Sequence, residues 1–142
     1  IEGKHDTITK FISYCLRLLN KKGYVDYKKT SCLHTIIESL DMITDIIKYA
    51  ARDLLAYKKK ALNDTIDILK SIKNDFNLFY ELFYKFNLTK FSELNKIRDK
   101  TLRKIEDMPS KIDKKELLIV TNMEHILEIV REISAVRMGL EF

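Results

Sequence analysis

Three features of the sequence predict an all-α fold, an antiparallel bundle of about five helices. Apolar residues return every three or four positions along almost the whole chain, and the strict alternation of a strand is absent. Chain breakers are scarce: 142 residues hold 3 glycines and 1 proline, too few for the turns of a sandwich or barrel. Apolar residues make up 46% of the chain against 33% charged, enough to build a core at this length.

Each helix can be read from its stripe and its stop. Ile8, Phe11, Ile12, Cys15, Leu16 and Leu19 make the first stripe, which ends at Asn20-Lys21-Lys22-Gly23, basic residues followed by glycine. Tyr24 to Thr30 is a connection, with Thr30, Ser31 or the earlier Asp26 as candidate caps for the second helix. That helix carries apolar residues from Leu33 to Leu55 and runs to about Lys58. The third spans Leu62 to Phe86 and is rich in aromatic rings, which read as core. A bend at Asn87-Leu88-Thr89 opens the fourth, which runs to Asp107. Those three residues also form a glycosylation sequon, with no secretory feature to support its use. Met108-Pro109-Ser110 makes the next loop, since proline disfavours helix in the residue before it. Asp113 and Glu116 then form a capping box, the Glu reaching back to the cap, for a last helix from Lys114 to Met138.

Charge and cysteine content narrow the setting. The net charge is +5, but the lysines are spread along the chain. The only tight clusters, Lys58-Lys59-Lys60 and Lys114-Lys115, fall near helix ends, so we expect no nucleic-acid binding through this stretch. No apolar run reaches the roughly 18 residues that span a bilayer. Cys15 and Cys32 match neither a metal-ligand spacing nor a disulfide framework, which predicts a reducing, cytoplasmic location.

The chain also repeats itself. At an offset of 83, Ile36 aligns with Ile119, Leu40 with Met123, Asp41 with Glu124, Ile43 with Ile126, Asp45 with Glu128, Ile47 with Val130 and Lys48 with Arg131. Helical periodicity accounts for apolar matches but does not place acids at the same two positions and a base three further on. The first and fourth helices align more weakly at an offset of 93, through Asp6 with Asp99 and Ile12 with Ile105. We expect a duplication, with residues 1–60 as a first unit lacking its first helix and 61–142 as a complete three-helix unit. The chain opens on Ile1 within what reads as a helix. The partner of the third helix is therefore expected to precede it in a longer protein.

Acids at i and i+4 are the chemistry-bearing feature: Glu2 and Asp6, Asp41 and Asp45, Glu124 and Glu128. This spacing stacks both side chains on one face a turn apart, where like charges repel by a few tenths of a kcal/mol. A cation held by oxygen ligands is one way to offset that repulsion, and bundles build metal sites from such pairs on facing helices. A solvated acidic face with lysines nearby is the other. His125 points about 100° away from Glu124 and is not expected to ligate. His5 and His34 read as ordinary boundary histidines. No catalytic set stands out, and no Glu has a His three residues on, as di-iron bundles require. No enzyme is expected.

The segment Leu40 to Ala50, with Asp41 and Asp45, resembles the acid-x-x-x-Asp helix of the PhoU family, the phosphate-uptake regulators. Met123 to Ile133, with Glu124 and Glu128, looks like a second copy. Glu2 to Asp6 is similar to the partner motif on the preceding helix, and Asn95 to Asp99 to its second copy, with Asn in place of the acid. The resemblance implies PhoU-like three-helix repeats, the first truncated. It implies an iron or zinc site from Glu2, Asp6, Asp41 and Asp45, and a second from Asp99, Glu124 and Glu128 with Asn95 as a weak contributor. It further implies a non-catalytic regulator of phosphate uptake and signalling near the membrane, whose partners are a membrane phosphate transporter or a sensor kinase. A homodimer fits the same picture. The competing expectation is a helical protein–protein interaction module without metal, or the accessory domain of a transporter or a DNA-binding fusion.

Overall fold

A computed structural model describes residues 1–108 and 112–141. Among these it shows five α-helices: α1 (Glu2–Lys22), α2 (Thr30–Ala56), α3 (Asn63–Tyr84), α4 (Leu88–Glu106) and α5 (Lys114–Gly139), with one 3-10 turn at Tyr27–Lys29. The predicted helix ends hold to within a few residues. The Pro109-Ser110 part of the predicted loop and the final Phe142 lie outside the described residues.

The stops have identifiable causes. Gly23 closes α1 at φ 66°, a backbone conformation that side chains with a Cβ resist, and its N–H bonds Leu19 O. Asp26 caps the short turn by accepting from Lys28 N, while Thr30 Oγ1 accepts from Tyr24 N and so braces the connection; neither caps α2 with its side chain. Asn87 Oδ1 accepts from the N–H groups of Thr89 and Lys90, so the sequon asparagine is the N-cap of α4.

At α5 the expected capping box is only half present. Asp113 accepts from Lys115 N as a cap should. Glu116, however, does not reach back to it. Its carboxylate is buried and accepts from Tyr57 Oη (2.9 Å), Leu62 N (2.6 Å) and Thr65 Oγ1 (2.6 Å), fastening the α2–α3 connection to the start of α5. Thr65 is buried and would lack a partner without it, and with the bonds from Tyr57 and Leu62 this is a stronger demand than one orphan N–H at a helix end. Burial pushes the Glu116 carboxyl up, but the bonds from Thr65, Leu62 and Tyr57 outweigh this and leave it below its ordinary range. Burial and the adjacent Glu116 push the Tyr57 phenol up to about 12.

That clamp sets the end of α2 beside the start of both α3 and α5, so α2 runs antiparallel to α5 and α3 runs parallel to it. At the other end Arg137 donates from Nε to Phe83 O at 2.8 Å, tying the end of α5 to the end of α3. Helix α5 is the hub: it packs on α2, α3 and α4, α3 and α4 also pack on each other, and α1 packs on α2. One apolar cluster runs through both halves of the chain, from Ile36, Ile43 and Ala50 of α2 through Ile126 and Ile133 of α5 to Ile68, Phe79 and Leu82 of α3. The aromatic end of α3 divides: Phe79 is buried and Phe76 and Phe83 pack on the core, whereas Tyr80 and Tyr84 face solvent. Cys15 and Cys32 are free and half-buried. No helix among the described residues is long and apolar enough to cross a membrane.

Candidate functional site

Four of the predicted site residues gather into two clusters, Asp6 and Asp45 on α1–α2 and Asp99 and Glu128 on α4–α5. In the first, His5 lies between two acids. Its Nε2 is 2.8 Å from Asp45 Oδ1, and its Nδ1 is 3.4 Å from Asp6 Oδ1. The Lys48 ammonium lies 2.8 Å from Asp45 Oδ1 and 3.1 Å from His5 Nε2. Lys48 can only donate, so the Asp45 carboxylate is the acceptor on which the cluster closes. The Lys48 hydrogen bond, then that of His5, lowers the Asp45 carboxyl below its usual range, and Asp45 raises Lys48 in return. Glu2 is held by Arg52 of α2 through its Nε at 2.8 Å. Asp41 receives a long bond from Thr9 Oγ1 at 3.5 Å.

In the second cluster Arg98 takes the bridging place. Its Nη1 donates to Asp99 Oδ1 at 2.9 Å, and its Nη2 donates to Glu128 on α5. Asn95 turns to its own helix and donates to Phe91 O at 3.0 Å. Glu124 is exposed and stands apart from this network, and His125 is exposed beside it.

The two clusters share three positions. His5 and Arg98 are 93 apart, as are Asp6 and Asp99, while Asp45 and Glu128 are 83 apart. In each cluster a basic side chain joins the aspartate next to it in sequence to an acid on the facing helix. The acids alone do not reveal this. The legible sign is the basic residue directly before each aspartate, at the same offset as the aspartates themselves.

A further acid behind the second cluster escapes an i, i+4 search. Asp75 of α3 is 0% exposed, and neither carboxylate oxygen has a hydrogen-bond partner. The Arg98 Nε is buried and unpartnered as well. Burial pushes the Asp75 carboxyl up to about 7, against a smaller pull downward from the Arg98 charge. Its signature in the sequence is an acid within the apolar stripe Ile68, Ile72, Phe79 and Leu82.

Two cations of the chain sit at acids that the resemblance assigns to metal. Lys48 holds the Asp45 carboxylate, and Arg98 holds those of Asp99 and Glu128. Among the described residues no three His, Cys, Asp or Glu side chains form a group that could hold a metal ion. The arrangement is suited to locking neighbouring helices in register by charge. Comparison with family models, with curated proteins and with solved structures finds no match for this chain.

Proposed function

We propose that the chain is a non-catalytic docking module of PhoU-like type, two like helical units joined across α2 and α5, that regulates phosphate uptake by contact with a transporter or sensor protein. The observation that carries this reading is the matched bridging of Asp6 to Asp45 by His5 and of Asp99 to Glu128 by Arg98. The same contacts at the same offsets are what a duplicated unit would retain. In this reading the acid clusters are internal locks between helices, and partners are engaged by surface.

One observation favours a second reading, with iron or zinc. The Lys48 ammonium sits against two donors, Asp45 Oδ1 and His5 Nε2, that would also serve a metal ion. A metal would have to displace Lys48 there and Arg98 in the other cluster.

The functional half of the proposal is tested in the organism that makes the protein, by removing the chain and measuring phosphate uptake in phosphate-rich medium. Uptake that stays high whatever the phosphate supply supports a regulator of this kind. Uptake that still falls normally with phosphate supply rejects it.

A further inference from the structure

The two lysine clusters, Lys58-Lys59-Lys60 and Lys114-Lys115, lie far apart in sequence and meet at one end of the bundle. The Glu116 clamp brings them together. It fastens Tyr57 and Leu62, which bracket the first cluster, to the first turn of α5, which holds the second. Lys59 Nζ lies 2.6 Å from Asp113 Oδ2, and Lys58, Lys59 and Lys115 line one cavity of about 380 Å³ with Asp113. Every lysine of both clusters is exposed. The acids at this end are largely spent within the protein: Asp113 on Lys59 and the Lys115 N–H, Glu116 on the clamp. Asp64, exposed in the first turn of α3, offsets one further charge and leaves this end positive on balance. Leucines stand among the lysines. Leu55, beside the cavity-lining Ala56, is 77% exposed, and Leu62, on the other side of the first cluster, is 39% exposed. In α5 the exposed Leu118 follows Lys114 at i+4 and so shares its face.

We propose that this end of the bundle rests on the surface of an anionic lipid bilayer, with the lysine ammonium groups among the headgroups and Leu55 and Leu62 at the edge of the hydrocarbon. Clusters of about four to eight basic residues beside a membrane are the recognised match for anionic lipids. Charge alone is screened within a Debye length and a single apolar contact is weak, so stable surface binding takes both signals. Both are present here on one end. The chemistry favours lipid over nucleic acid. A nucleic acid offers charge and base rings, and is met by arginine and by exposed aromatic side chains. The basic residues of these clusters are all lysine, their apolar neighbours are leucines, and the ring beside them, Tyr57, is turned inward onto Glu116. The proposal goes beyond the docking reading above and rests on neither its two units, nor phosphate, nor metal.

The test is co-sedimentation of the full chain with vesicles of phosphatidylcholine in which three lipids in ten are phosphatidylserine, beside vesicles of phosphatidylcholine alone. Binding at least tenfold tighter to the anionic vesicles is expected, weakening as salt is added. Lys58→Gln/Lys60→Gln/Lys114→Gln should weaken it at least tenfold. Lys96→Gln/Lys100→Gln/Lys104→Gln removes the same charge from the exposed side of α4 and should change it less than twofold. Leu55→Ser leaves every lysine in place and should weaken it at least threefold. All of these side chains face water, so thermal melting should be nearly unchanged in the variants. The proposal is overturned if the chain does not prefer the anionic vesicles, if the two triple variants lose binding equally, or if Leu55→Ser has no effect. It is also overturned if the chain prefers a DNA duplex to the anionic vesicles and the first triple variant loses that preference, since this end would then be a nucleic-acid interface.

Discussion

Arg98 stands 93 residues after His5 and repeats its role: each joins the aspartate next to it in sequence to an acid on the facing helix. The environments differ. Both bridging side chains are mostly covered, His5 at 13% and Arg98 at 17% exposure, but it is Arg98 whose charge reaches the fully buried Asp75.

That difference predicts unequal costs. The two acids that His5 joins are well exposed, and contacts to such acids contribute about 0–1 kcal/mol, so His5→Ala should cost near the upper end of that range. Arg98→Ala should cost more, about 1–3 kcal/mol, since it removes the hydrogen bonds to Asp99 and Glu128 together with the charge that pulls Asp75 downward. Urea unfolding of the two variants in one buffer measures both, and equal losses would contradict the contrast.

Asp75 makes stability depend on pH in a direction opposite to that of a paired carboxylate. Its folded value of about 7 lies above the ordinary 3.8. Between those values the folded chain binds a proton that the unfolded chain has released, so this group's contribution to stability falls as pH rises from about 4 to 7. Asp75→Asn should remove that slope. The gain of the variant over the wild type should be larger at pH 8 than at pH 5 by about 2–3 kcal/mol. Chemical denaturation at the two pH values provides the check, and parallel pH profiles would count against a buried, unpartnered carboxylate.

The clamp at Glu116 should behave in the opposite sense. Its depressed carboxyl contributes stability that is present above the unfolded value near 4.5 and lost as pH falls through the folded one. Glu116→Ala leaves Tyr57 Oη, Leu62 N and Thr65 Oγ1 without their acceptor and should cost about 2–4 kcal/mol. Tyr57→Phe removes a single bond and should cost about 1 kcal/mol. Ultraviolet titration should place the Tyr57 phenol near 12 in the wild type, and Glu116→Ala should lower it.

Asn87 offers a local test of how α4 begins. Replacing a capping Asn by Ala costs about 0.5–2 kcal/mol, whereas Asp or Ser retains most of the cap. Thermal melts of Asn87→Ala and Asn87→Ser should separate accordingly.

Much of the fold is legible in the sequence because its determinants are local. The stripe and the Gly23 stop define α1, the chain around Asn87 sets the start of α4, and Asp113 caps α5. Glu116 departs from its expected capping role because its partners come from the α2–α3 connection, over 50 residues earlier, and spacing within a helix cannot see them. The site is half legible for the same reason. The i, i+4 spacing marks the acids but not the side chains that bridge them, since His5 and Arg98 act between helices. Asp75 is hidden by its isolation: it has no acidic neighbour at helical spacing, and only its place in an apolar stripe marks it.

Acids taken up by Lys48 and Arg98 should leave no room for a bound metal. Elemental analysis tests this most directly, on protein purified without a metal-affinity tag and compared with an Asp41→Ala/Asp45→Ala double variant. Less than one tenth of an equivalent of iron or zinc is expected in either protein, before and after anaerobic reconstitution. Near-stoichiometric metal in the wild type, lost in the double variant, would contradict the closed clusters and establish the metal-binding reading instead.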